Sequence, residues 1–218
     1  MIKKLLLTIC IAAVSACVFA QSISYGIKGG LNLSTFDYSG GYPGVNESGR
    51  LDFHIGAVAD IAIHHFSIQP GLYYITKGSA VSAVIPYYNN AGIQPGVVYE
   101  KGSTRLHYLE LPVNVLYHLD LSSLSLFFGA GPYLGYGLNG KESFTATGAV
   151  DSKYTSDAKF GNPGYRNPDY GVNFIVGERI KRISLDLNYS LGLRNLYGSP
   201  DSKLKNRVVG VSVGYWFK

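Results

Sequence analysis

Leu109-Glu110-Leu111-Pro112-Val113-Asn114-Val115-Leu116-Tyr117-His118-Leu119 changes character at nearly every step. The odd positions are Leu109, Leu111, Val113, Val115, Tyr117 and Leu119, and between them stand Glu110, Pro112, Asn114, Leu116 and His118. A period of two is the signature of a β-strand with one apolar and one polar face. A run of about ten residues suffices for a tilted strand to cross a bilayer.

The same alternation recurs along the chain. From Ile183 the apolar set is Ile183, Leu185, Leu187, Tyr189, Leu191 and Leu193, set against Ser184, Asp186, Asn188, Ser190, Gly192 and Arg194. Near the end, Val209, Val211, Val213, Tyr215 and Phe217 alternate with Gly210, Ser212, Gly214 and Trp216. Which face points inward decides the class. A soluble ligand-binding barrel hides its apolar face and exposes its charges. Here the polar set is small, rich in Gly, Ser and Asn and dotted with isolated charges, which suits a cramped lumen. The apolar set is larger, nearly free of charge and carries tyrosines, which suits a lipid-facing band.

Turn lengths test this assignment, because a slip of one residue exchanges the faces of a strand. A two-residue turn at His64-His65 pairs Ile63 with Phe66. A four-residue connection at 120–123 pairs Leu119 with Leu124, again apolar with apolar. A further tight turn falls near Lys181-Arg182. Between these tight turns the connections are long, at 37–50, 78–104 and 139–169, with a shorter one at 197–205. Short turns at one end and long loops at the other predict an all-β, eight-stranded antiparallel up-and-down transmembrane barrel. The rule for such barrels puts the short turns in the periplasm and the long loops outside the cell.

Residues 1–20 read as a signal peptide: Lys3 and Lys4 precede an apolar run from Leu5 to Val14, and Val18-Phe19-Ala20 offers a cleavage site before Gln21. Val14-Ser15-Ala16-Cys17 also resembles a lipobox, so a lipidated Cys17 is the alternative. Both cysteines, Cys10 and Cys17, fall in this segment, so cleavage after Ala20 leaves a barrel domain of 21–218 without disulfides or thiolate-bound metals. The formal net charge of +5 drops to +3 once Lys3 and Lys4 are removed, too mild to make nucleic acid a partner. With 27 Gly and 18 Tyr against a single Trp, the composition favours a narrow, curved sheet with tyrosine girdles over a soluble globule.

Several segments resemble the PorT-like outer-membrane β-barrel family of Bacteroidetes. Gly26-Ile27-Lys28-Gly29-Gly30-Leu31-Asn32-Leu33-Ser34 is similar to its first strand, and Tyr108-Leu109-Glu110-Leu111-Pro112-Val113 to a recurring strand of that family. Phe128-Gly129-Ala130-Gly131-Pro132-Tyr133 and Tyr189-Ser190-Leu191-Gly192-Leu193-Arg194-Asn195 stand where the family has such segments. The resemblance implies an eight-stranded barrel with periplasmic termini. It implies no single activity, and the family name comes from one member linked to protein secretion. Lys218 after the terminal aromatic Phe217 departs from bacterial barrels generally.

Motifs that suggest chemistry have plainer readings. Gly129-Ala130-Gly131-Pro132-Tyr133-Leu134-Gly135 brushes a dinucleotide fingerprint, but Pro132 and Tyr136-Gly137 continue a strand rather than open a helix, so no cofactor is expected. His64 and His65 in a two-residue turn point different ways, and no third metal ligand stands near them in sequence. Asn46-Glu47-Ser48 matches a glycosylation acceptor, which carries little meaning in a bacterial chain. Ser103, His107 and Glu110 are the candidates for a catalytic set, yet His107 has outward and Glu110 inward parity, so no enzyme is expected.

Lys28, Asp52, His54, Asp60, Tyr73, Lys77, Glu110, Asp186 and Arg194 all have inward parity. Charges in a closed lumen must pair, and eight strands leave an interior that side chains fill, so a structural plug rather than a pore is expected. The expected pairs are Lys28 with Asp60, and Glu110 with Arg194 in a second cluster nearer the outer end, with Asp52 and Asp186 in the same network. The expected role is a non-enzymatic one in surface binding or envelope integrity, through loops that hold Tyr38, Tyr42, Tyr87, Tyr88, Tyr99, Tyr154 and Tyr165 beside mixed charges. The alternatives are a secretion-system component and an outer-membrane lipid-modifying enzyme. Expected partners are outer-membrane lipid, the barrel-assembly machinery during biogenesis, and an extracellular ligand or secretion partner.

Overall fold

The computed structural model describes residues 22–39, 45–88, 95–149, 151–162, 164–197 and 203–217. The expected signal peptide, Tyr42, Lys218 and the side chains of Tyr87 and Tyr88 lie outside what is described. Ten strands follow in order: β1 (Ser22–Ser39), β2 (Val45–Ser48), β3 (Arg50–Ile63), β4 (Phe66–Tyr88), β5 (Pro95–Asp120), β6 (Ser125–Gly148), β7 (Ser152–Ala158), β8 (Asp169–Ile180), β9 (Ile183–Gly192) and β10 (Lys203–Trp216). Eight of them close a ring of antiparallel neighbours, β1-β3-β4-β5-β6-β8-β9-β10, with β10 pairing back onto β1. β2 and β7 add to the outer parts of β4 and β6. Closure leaves the ring without an open edge, the condition under which a sheet survives in lipid.

The faces fall as the alternation requires. Leu111, Leu187 and Val213 are 49%, 55% and 56% exposed, while their neighbours Glu110, Asp186 and Ser212 are buried inside. Exposed Leu, Ile, Val, Phe and Tyr side chains run round every strand of the ring. A soluble monomer rarely exposes a contiguous apolar patch beyond a few hundred Å². A belt of this kind is a lipid-facing surface, and the protein resides in the outer membrane.

Turns confirm the faces and refine one register. Ile63 pairs with Phe66 across His64-His65, and Ile180 with Ile183 across Lys181-Arg182. His64 and Lys181, first in each turn, take positive φ of 56° and 52°, the left-handed bend a two-residue hairpin needs. The β5–β6 connection is 121–124 rather than 120–123, so Leu119 faces Leu126 instead of Leu124. The shift is even, and the faces are preserved.

The long connections differ more. Much of 78–104 and 139–169 is not loop but strand: β4 and β5 stay paired from Phe66–Tyr117 out to Tyr88–Pro95, and β6 folds back on β7. Above the lipid belt neither face must be apolar, so the binary pattern fades while backbone pairing continues. Where β3 leaves β4, the Thr76 hydroxyl fills the gap, accepting from the Phe53 amide at 3.1 Å and donating to the Phe53 carbonyl at 3.2 Å. The β5–β6 register slips between His107 and Tyr108, a bulge on β6 at which Leu138 and Asn139 both face outward. Asn167 stitches this bulge, its amide taking the Gly137 N–H and donating to the Gly137 carbonyl, both at 2.9 Å. Such bulges bend a strand and re-aim the side chains beyond them.

Orientation follows from the barrel rule, with the His64-His65 turn periplasmic and the β4–β7 extensions extracellular. Single cysteines at His65 and Lys101 are expected to differ on intact cells: an impermeant thiol reagent labels position 101 and spares 65. The reverse pattern would invert the topology.

Candidate functional site

The lumen is built in layers of charge. At the periplasmic end Asp60 meets Arg179 from the opposite wall at 3.6 Å, and the Arg179 guanidinium lies 4.1 Å above the Trp216 ring. Trp216 donates through its indole nitrogen to Ser184 Oγ at 3.1 Å. One layer up, Lys28 Nζ sits 2.6 Å from Asp186, and the His54 ring spans Asn32 (2.8 Å) and Ser212 (2.9 Å). Higher still, Lys77, with no exposed surface, contacts Glu110 at 2.5 Å and Asp169 at 3.2 Å. Asp169 also accepts from Tyr133 (3.2 Å) and Asn206 (2.8 Å), and the ammonium lies 4.3 Å from the Tyr133 ring centre. At the outer rim Asp52 takes Arg50 at 3.2 Å, Arg105 at 3.3 Å and the Ser34 hydroxyl at 2.7 Å. Buried charge is tolerable only in such paired sets.

The expected pairings are redistributed. Lys28 does not meet Asp60, because β1 and β3 pair with Lys28 opposite Gly56 and Asp60 opposite Ser24. Those strands are joined at the outer end, where no tight turn fixes their stagger. The misjudged offset is again even, so both residues still face inward. Glu110 takes Lys77 rather than Arg194. β9 ends at Gly192, the amides of Leu193 and Arg194 both turn to the Tyr170 carbonyl, and the Arg194 guanidinium lies 5.7 Å from the Tyr170 ring centre. Asp52 and Asp186 each have a cation, but in separate layers.

Asp169 and Arg179 escaped the sequence reading. Asp169 stands at the end of the expected 139–169 connection, yet it opens β8, whose inward set Asp169, Gly171, Asn173 alternates with Tyr170, Val172, Phe174 and Val176. That alternation was the available signal. The candidate catalytic residues each hold a different partner: Ser103 accepts from Arg50 at 2.7 Å, His107 meets the Tyr74 hydroxyl at 2.5 Å, and Glu110 binds Lys77. Among the described residues no three His, Cys, Asp or Glu side chains stand together as a metal site.

Between the Lys28 and Lys77 layers lies a cavity of about 50 Å³, lined in part by Tyr73, Asn114 and Asn173. The carbonyl oxygens of Asn114 and Asn173 are buried there without a protein partner. That volume suits a few water molecules, not a passage. Above the Lys77 layer an apolar cap closes the outer end: Phe36, Ile75, Leu106, Tyr108, Ala158, Leu196 and Leu204, with Tyr38, Phe160 and Tyr165 packed on it.

Tyr165 joins this cap to the β6 extension by donating to Glu142 at 2.6 Å. Burial first, and then the Glu142 carboxylate, push the Tyr165 phenol well above the ordinary tyrosine range. A group with a raised folded-state pKa contributes stability that is complete below its unfolded value, about 10, and is lost as pH rises beyond it. The cap is therefore expected to loosen under alkali, and Tyr165→Phe to remove part of that loss. Amide exchange of 159–168 at about pH 8 and about pH 11 measures both; equal alkaline loosening in the two proteins would contradict it.

A known family of proteins shares this architecture. The family model described as "Outer membrane protein beta-barrel domain" matches residues 19–198. Among curated proteins none matches the chain. Among solved structures, Ail, the attachment invasion locus protein of Yersinia pestis, is 11% identical over 90% of this chain and 99% of its own, with a TM-score of 0.43. OprG from Pseudomonas aeruginosa is 12% identical over 90% and 97%, with a TM-score of 0.42. Neisserial surface protein A is 12% identical over 89% and 98%, with a TM-score of 0.38. With a closed ring, an apolar exterior, a charge-filled lumen and a family match over most of its length, the chain belongs to the outer membrane protein β-barrel domain family.

Proposed function

We propose that this barrel is non-enzymatic and acts through its extracellular extensions, in surface binding or envelope integrity. The observation that carries the reading is the contrast between the two parts. The lumen is packed with paired charges and capped by an apolar cluster. The outer end, by contrast, is a paired sheet of β4, β5, β6 and β7 rather than loose loops. A rigid scaffold with tyrosine and mixed charge on its surface is a common form of binding surface.

Co-purification in native detergent, followed by mass spectrometry, tests it. The full chain is expected to retain an envelope or surface component that a variant with β4 and β5 trimmed to a short hairpin loses. Identical co-purifying sets would count against the reading. The resemblance of Tyr108–Val113 and Gly26–Ser34 to PorT-like strands supports a second reading, a secretion component, which requires periplasmic or inner-membrane proteins in the same eluate. A lipid product formed on incubation with the purified protein would instead establish an enzyme.

A further inference from the structure

β5 crosses the lipid belt and continues outward without a bulge, so one face of it runs from Leu119 to Leu109 in lipid and then to His107, Arg105, Ser103 and Lys101 above it. β6 joins that face only because of its bulge. Below the bulge the outward residues are Leu134, Tyr136 and Leu138; above it they are Lys141, Ser143 and Thr145. Without the extra residue, Glu142 would face out and Lys141 in. As built, Glu142 turns inward to Tyr165, and Glu100 lies on the same inner side of β5. The pairings set Arg105 beside Lys141, Ser103 beside Ser143 and Thr155, and Lys101 near Lys153 across Thr145. Asp157, opposite Lys141, is the acid among these cations.

The face is also concave. A groove of about 450 Å³ is lined by Arg50, Arg105, His107 and Lys141 together with the hydroxyls of Ser103, Ser143 and Thr155. Among the described residues no carboxylate and no apolar side chain lines it. Asp52 contacts both arginines through Nε, Arg50 spends one outer nitrogen on the Ser103 hydroxyl at 2.7 Å, and the Arg105 side chain stays 47% exposed. Guanidiniums, an ammonium and hydroxyls together are the donor set for a phosphate ester. An adjoining groove of about 850 Å³ shares His107 and Lys141 and has Tyr136 and Leu138 in its wall, so the basic site continues directly into the lipid-facing surface.

We propose that this basic groove on β5, β6 and β7, flanked by Arg50 of β3 and just above the outer edge of the lipid belt, binds the phosphorylated headgroup of an outer-leaflet glycolipid. Position selects the occupant: a phosphate anchored at the membrane surface meets Arg105 and Lys141 while its acyl chains lie along Leu109, Tyr136 and Leu138. The inference deepens the binding role proposed above and rests on it.

The test uses the detergent-purified barrel with bisphosphoryl lipid A in mixed micelles, read by native mass spectrometry, beside the same lipid with both phosphates removed. The phosphorylated lipid is expected to be retained and the dephosphorylated one not. Lys101→Gln/Lys141→Gln, which leaves the Asp52 pairs intact, is expected to weaken retention by roughly tenfold to thirtyfold. Arg105→Gln/Lys141→Gln is expected to do the same, and Lys203→Gln, elsewhere on the rim, to change nothing. Heat-modified gel mobility reports that each variant is folded. Equal retention of the two lipids, or unchanged retention by both double variants, overturns the assignment. So does a soluble sulfated glycan that binds more tightly and displaces the lipid, since the groove then serves a free polyanion. Loss of the lipid result while trimming still removes a co-purifying component would sink this inference and leave the broader role standing.

Discussion

Lys77→Met is expected to destabilise the barrel by about 3–5 kcal/mol, the usual consequence of removing one partner of a buried ion pair. Lys77 has no exposed surface and is the shared cation of two carboxylates, Glu110 and Asp169. Methionine keeps the side chain's bulk and withdraws its charge, so both acids are left facing each other in a closed space. Adding Glu110→Gln should recover part of the loss, because Asp169 retains Tyr133 and Asn206 as donors. Urea titration in detergent micelles, followed by the heat-dependent gel shift, measures this. A loss below about 1 kcal/mol, the range of exposed pairs, would mean that the layer is hydrated and not sealed.

Trp216→Ala is expected to cost about 3–5 kcal/mol as a large-to-small change at a buried site. Two contacts converge on a ring that is only 2% exposed: its nitrogen donates to Ser184, and Arg179 stacks on its face before reaching Asp60. As the single tryptophan of the chain, it also reports on its own site. Native emission is expected to be blue-shifted and poorly quenched by acrylamide, and to move red in the same urea range that abolishes the gel shift. An emission already red and quenchable in the folded protein would contradict the sealed periplasmic end. Trp216→Phe should retain most of the stability, since it keeps an aromatic face for Arg179.

What could be read from the sequence was face, and what could not was stagger. Lipid outside and packed charge inside constrain every second residue, so Leu109–Leu119 and Ile183–Leu191 declare their orientation unaided. The same environment is nearly indifferent to sliding one strand past its neighbour by two or four residues. Only a turn of two residues, too short to slide, removes that freedom. Ile63–Phe66 was therefore legible, whereas the wrong partner for Leu119 and the missing Lys28–Asp60 pair were errors of even offset. Outside the bilayer the constraint of face lapses as well, which hid the outer halves of β4, β5 and β6 and the role of Asp169. Arg194 failed for a third reason: its strand ends at Gly192, and parity does not survive past a strand's end.

The length of β5 has a consequence of its own. Its 26 residues at about 3.3 Å each run roughly 85 Å along the strand. A tilt near 40° converts that to about 65 Å of elevation, against an apolar band of about 25 Å. Some 40 Å of β5 therefore stands clear of the hydrocarbon, tethered side by side to β4 and β6. The protein therefore presents two heights at once, a cationic foot just above the lipid belt and a crest well beyond it. An antibody, a phage or an engineered insert would meet the crest first and would learn nothing of the foot.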